Sequence, residues 1–171
     1  MLASTPLPVT GPLAAPPTNC PAAPPLDALT IPPTDGIASD VPLLGRSPVW
    51  AYSGSLPRGV VNLGQPSATS PSWPAVETFW VFGPTLHPRV TVRVSDLRSG
   101  EAAWWRVGGP STPQVPILIM DPDVDFPGSA PLTWVVERTL LFLTHAGCYQ
   151  LDVSWAGGDW QTVFAAGQLR S

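Results

Sequence analysis

The chain has 171 residues, a net charge of −4, 24 prolines, eight tryptophans and two cysteines; every basic residue is Arg, with no Lys. A body of this length can bury a core as one domain with an extension. The scattered arginines and negative balance exclude a phosphate-binding surface, and so a nucleic-acid partner. The absence of Lys matches a wider bias toward Ala, Pro, Gly and Arg of the kind GC-rich coding produces, so no function is read into it.

Residues 1–45 hold eleven prolines, from Pro6 to Pro42. Proline fixes φ and has no amide donor, so this segment builds neither helix nor central strand and reads as an extended arm or linker. Its start lacks the charged and continuous apolar regions of a signal peptide. The residues around Cys20 do not fit a lipoprotein site, because Asn19 is too large for the position before the cysteine. No run of about 18 apolar residues occurs, so no transmembrane segment is expected.

Strand patterns begin near Ser47 and assign 46–171 to a β-sandwich. Val49–Tyr52, Val60–Leu63 and Val76–Phe82 read as strands, and Gln65–Trp73 as a Ser/Pro loop. Arg89–Ser95 alternates most cleanly, with valines inward and Arg and Thr outward. Arg98-Ser99-Gly100 reads as a turn, after which Ala102–Val107 pairs back on that strand. Ile117–Met120 is a short buried strand, Asp121–Pro131 a loop, and Thr139–Leu143 the strand before a closing hairpin. In that hairpin Cys148–Trp155 and Trp160–Ala166 flank Ala156-Gly157-Gly158-Asp159. With Gly157-Gly158 as the loop, Trp155 faces Trp160, Val153 faces Thr162 and Leu151 faces Phe164. Tyr149, Leu151, Val153 and Phe164 then point to the core, and Cys148, Gln150, Asp152 and Gln161 point away. Short strands without an amphipathic helix define an all-β, immunoglobulin-like antiparallel sandwich with a Pro-rich N-terminal extension.

Few residues carry chemistry. His87 and His145 are far apart, and no metal-ligand spacing is present. Asp121-Pro122-Asp123-Val124-Asp125 alternates carboxylates but has Phe126 and Leu132 where a calcium loop needs Gly and Glu, so it reads as a solvated turn. No nucleophile elbow or paired-carboxylate motif occurs, and Cys148 with His145 three residues away does not make a dyad. No catalytic residue, metal or cofactor is assigned, and the chain reads as non-enzymatic. The adjacent Trp104 and Trp105 must face opposite sides of their strand. With Trp105 inward, Trp104 and Arg106 point out beside Arg93 of the neighbouring strand, a Trp/Arg surface suited to stacking a sugar or aromatic group. Two cysteines fit one disulfide or two separate thiols.

The link His145-Ala146-Gly147-Cys148-Tyr149-Gln150-Leu151 resembles the immunoglobulin-superfamily corner Asp-x-Gly-x-Tyr-x-Cys, in which the Tyr hydroxyl bonds back to the corner backbone. Gly147 and Tyr149 match; His145 replaces the Asp and Leu151 the Cys. Together with Asn19-Cys20-Pro21, Ser47-Pro48-Val49-Trp50-Ala51 and Trp155-x-Gly-Gly, the corner is similar to an uncharacterised family of exported bacterial proteins with an immunoglobulin-like domain. The resemblance implies export, a Cys20–Cys148 disulfide and no catalytic residues. The cysteine count, the outward direction of Cys148 and an arm otherwise without an anchor fit the same pairing. The leading reading is an extracellular or cell-surface module with a binding or structural role and an unknown protein or glycan partner. The alternative is a carbohydrate-binding module using Trp104, Arg93 and Arg106, and a third is a subunit whose arm packs on a neighbouring copy.

Overall fold

The computed structural model describes residues 14–21, 43–53, 56, 59–63, 75–83, 89–121 and 134–168. The expected Gln65–Trp73 loop, most of the Asp121–Pro131 loop with Asp123 and Asp125, His87, and the arm outside 14–21 and 43–45 lie beyond these residues. Among the described residues ten strands are formed: β1 (Leu44–Arg46), β2 (Val49–Tyr52), β3 (Val60–Asn62), β4 (Ala75–Phe82), β5 (Val90–Asp96), β6 (Trp104–Val107), β7 (Leu118–Met120), β8 (Val135–Phe142), β9 (Gly147–Trp155) and β10 (Gly158–Gly167). They build two five-stranded sheets, ordered β1-β2-β4-β8-β6 and β3-β10-β9-β5-β7. All neighbours are antiparallel except β3 and β10, which run parallel. The molecule is an all-β sandwich, with no α-helix among the described residues.

Alternation sets the core. Val90, Val92 and Val94 of β5 are buried while Arg93 between them is exposed. Tyr149, Leu151 and Val153 of β9 and Trp160 and Phe164 of β10 join them from the same sheet. Val49, Val76, Trp80, Phe82, Trp105 and Leu141 oppose them from the first sheet. Burying side chains of this size contributes about 1.5–3 kcal/mol each, which offsets the ordering of short strands. At the centre, Trp80 meets Trp105 edge-on at 5.8 Å between centroids and lies 6.5 Å from Trp160. Two of these indoles have acceptors: Trp80 donates to Thr139 Oγ1 at 3.1 Å and Trp160 to the Val49 carbonyl at 3.0 Å.

The closing hairpin keeps the expected faces but not the expected register. Gly158 lies opposite Trp155, so Ala156-Gly157 is the loop. Trp160 therefore faces Val153, Thr162 faces Leu151, and Phe164 faces Tyr149. The shift is two residues, one strand period, which leaves inward and outward residues unchanged. In this register the Trp155 indole lies over Gly158, where a Cβ would be 3.0 Å from the ring.

Strand β6 also departs from expectation. Only Ser95 and Ala102 bridge back to β5, and Trp104–Val107 then pairs with β8 in the other sheet. A strand has two hydrogen-bonding edges, and those of β5 are taken by β9 and β7. Sheet pairing also starts at Leu44, inside the stretch assigned to the arm, and Leu43 before it is buried against Trp50 and Val81.

Candidate functional site

The three residues expected to share one surface are divided between two sheets. Arg93 lies on the outer face of β5, exposed and opposite Asp152 of β9. Trp104 and Arg106 lie on β6, opposite Phe142 and Leu140 of β8. Arg106 is buried, and its guanidinium sits 5.1 Å above the centroid of the Phe142 ring. Trp104 is half-buried. The cation–π pair thus forms inside one sheet face and leaves Arg106 little surface for a ligand, while Arg93 is solvated on the opposite side of the sandwich.

The most developed polar arrangement lies where β5 ends and β9 begins. Asp96, the last residue of β5, is 4% exposed. Its Oδ1 accepts from the amides of Arg98 (2.9 Å) and Ser99 (2.6 Å) and from the Ser99 hydroxyl (2.9 Å). This is an Asx-type turn, which an Asp at a strand end with Ser three residues on favours. Oδ2 lies 3.2 Å from Nε2 of His145. Burial alone would raise the Asp96 pKa, but the hydrogen bonds from Ser99, His145 and Arg98 outweigh it and hold the carboxyl below its ordinary value. An ionised carboxylate only accepts, so His145 donates from Nε2. Its Nδ1 is 2.8 Å from Thr144 Oγ1.

The same corner is closed from below by Tyr149, whose hydroxyl donates to the His145 carbonyl at 2.8 Å. Burial, then the Asp96 charge, pushes the phenol far above its ordinary value, so it remains a donor. Gly147 is required by crowding: a Cβ would lie 2.8 Å from Asp96 Oδ2. His145, which stands where the resembled corner has Asp, bridges Thr144 and Asp96 with its ring, and its carbonyl serves Tyr149. Asp96 and Thr144 were missed. The Asx-turn pattern Asp96-Leu97-Arg98-Ser99 was the available signal for Asp96, but its pairing with a residue 49 positions away had none.

Above this network lies a cleft of about 640 Å³. One wall is the β5–β6 turn with Leu97, Arg98, Ser99 and Glu101; the floor is His145–Cys148; the other wall is Pro17, Asn19 and Pro21 of the arm. The arm is fixed there by a Cys20–Cys148 disulfide, with Cα atoms 5.5 Å apart. Asp96 and His145 both line this cleft, and Thr144 is bonded to the far nitrogen of the His145 ring. The linked hydroxyl, imidazole and carboxylate tie the end of β5 to the start of β9. A second hollow of about 480 Å³ lies by the hairpin, with Asp152, Ser154, Trp155, Asp159 and Gln161 in its lining. No cluster of three or more His, Cys, Asp or Glu suited to a metal occurs among the described residues.

No family model matches the chain, and no curated protein matches it. Among solved structures, it is similar to a candidate lipoprotein from Bacillus anthracis at 12% identity and a TM-score of 0.43, covering 82% of this chain and 88% of that one. A family 123 glycoside hydrolase from Clostridium perfringens is similar at 12% identity and a TM-score of 0.31, over 66% of this chain but only 22% of the hydrolase. PapD-like domain 7 of human CEP192 is similar at 6% identity and a TM-score of 0.30, covering 86% and 99%. Scores at this level carry no information on activity or ligand.

Proposed function

We propose that the chain is an exported, non-enzymatic β-sandwich module acting outside the cell or at its surface, in a binding or structural role. The observation that carries this reading is the Cys20–Cys148 disulfide, a bond that persists in oxidising compartments and is rare in the cytosol. Strand order supports an immunoglobulin-type assignment. β2-β4-β8-β6 follows the order A-B-E-D, β10-β9-β5 follows G-F-C, and the Tyr149–His145 bond is that of a tyrosine corner. On that scheme β1, β3 and β7 are additions. Among the described residues no helix is long and apolar enough to cross a membrane.

Fractionation of producing cells tests the proposal: the chain belongs in the medium or envelope fraction, and a cytosolic pool would contradict it. The carbohydrate-binding alternative has lost its joint Trp104, Arg93 and Arg106 platform, since the three residues occupy two sheets. A glycan array decides that alternative directly.

A further inference from the structure

We infer that the Cys20–Cys148 disulfide is a clasp for the N-terminal arm rather than a brace for the sandwich, so that its reduction releases residues 14–21 and dismantles the cleft while the sheets stay folded.

Three observations lead there. First, none of residues 14–21 is buried: Pro16, Pro17 and Cys20 are half-exposed and the rest are exposed. The arm therefore adds almost nothing to the hydrophobic core. Second, Cys148 points outward from β9, away from Tyr149 and Leu151, so the bond joins the arm to the outer surface of one sheet and does not tie the two sheets together. Third, besides the disulfide, one backbone hydrogen bond seats the described arm on the sandwich: Gln168 N–H donates to the Ala14 carbonyl at 2.9 Å. The neighbouring contact is backbone against a bare glycine, because a Cβ on Gly167 would be 2.4 Å from Pro16 N. One hydrogen bond and half-exposed contacts do not offset the entropy of ordering eight residues. The covalent bond does, by keeping the arm at its seat.

Reduction by a dithiol proceeds through a mixed disulfide and transfers two electrons: the Cys20–Cys148 bond breaks, both cysteines leave as thiols, and the reductant becomes a disulfide. Without the arm the cleft loses Pro17, Asn19 and Pro21, leaving the turn and corner as an open surface. A cleft of this kind exists only in the oxidised chain.

The test is backbone NMR on the full chain before and after dithiothreitol, and on the Cys20→Ser, Cys148→Ser double variant. In the oxidised chain, Thr18 and Asn19 should show order parameters near the rigid-backbone value of about 0.85; in the other two samples they should fall below about 0.6. The amide of Leu97, bonded to the Cys148 carbonyl at 2.8 Å, is the control and should keep its exchange protection within about twofold. Unchanged order at Thr18 and Asn19 in the double variant would overturn the inference, because non-covalent contacts would then hold the arm. Loss of Leu97 protection, or a variant that does not fold, would overturn it too, because the bond would then hold the sandwich.

Discussion

Tyr149 donates its hydroxyl proton to the carbonyl oxygen of His145 four residues back, at 2.8 Å, while its ring stacks on Phe164 across the hairpin at 5.7 Å. One side chain thus fixes the corner entering β9 and part of the core behind it. The Tyr149→Phe variant separates the two roles. The ring stays and the His145 carbonyl loses its donor, so stability in urea should fall by about 1–3 kcal/mol with an unchanged denaturant slope. A wild-type midpoint would mean that the bond does not hold the corner.

Phe164 and Gln161 test the face assignment of β10. Phe164 is 1% exposed and Gln161 points to solvent. Phe164→Ala should cost about 3–5 kcal/mol, and Gln161→Ala should stay within about 0.5 kcal/mol of wild type. Equal losses in denaturant melts would show that the strand faces are misassigned.

Asp96 gives the acid limb its shape. Its folded-state pKa lies below the ordinary 3.8, so it binds protons more readily in the unfolded chain. The stability it contributes is fully present above the unfolded value and is lost as pH falls through the folded one. Asp96→Asn should therefore be less stable at pH 7 and show a shallower decline between about pH 5 and pH 2. Parallel wild-type and variant curves across that window would remove Asp96 from the account.

Thr78 predicts a gain. It lies 2% exposed on the core face of β4, and its hydroxyl has no hydrogen-bond partner among the described residues. A buried hydroxyl without a partner costs about 1–3 kcal/mol. The near-isosteric Thr78→Val should raise thermal stability, by about 1 kcal/mol at the midpoint. A loss on thermal melting would show that the hydroxyl is satisfied.

The β5 alternation and the inward run of β9 were legible because each follows the period of a strand with one buried face. The hairpin register was not, because two candidate loops differing by a whole period leave the same residues inside. The register adopted seats the Trp155 indole over Gly158, a contact of shape that the alternation pattern does not carry. The Trp/Arg surface failed for a related reason. Alternation correctly turned Trp105 inward, but it cannot say which strand β6 pairs with. That depended on β7, eleven residues further along, taking the free edge of β5. In the corner, Gly147 and Tyr149 announced themselves by type and spacing. The Asp96–His145 contact joins residues 49 positions apart and had no local sign.

The disulfide is open to a stability measurement. It spans 128 residues, and loop closure on that scale corresponds to about 4–5 kcal/mol. If reduction also frees the arm in the folded state, the loss should be smaller than that figure. A denaturant series with and without reductant gives the number, and a loss well above it would mean that the bond braces the sandwich.

The most direct test of the central claim is the state of the two cysteines in protein taken from the producing cells. Thiols are acid-quenched and alkylated before any reduction, and the digest is mapped by mass spectrometry without reductant. An exported module with a clasped arm gives a Cys20-containing peptide linked to a Cys148-containing peptide and no alkylation at either residue. Full alkylation of both cysteines would contradict export and clasp together.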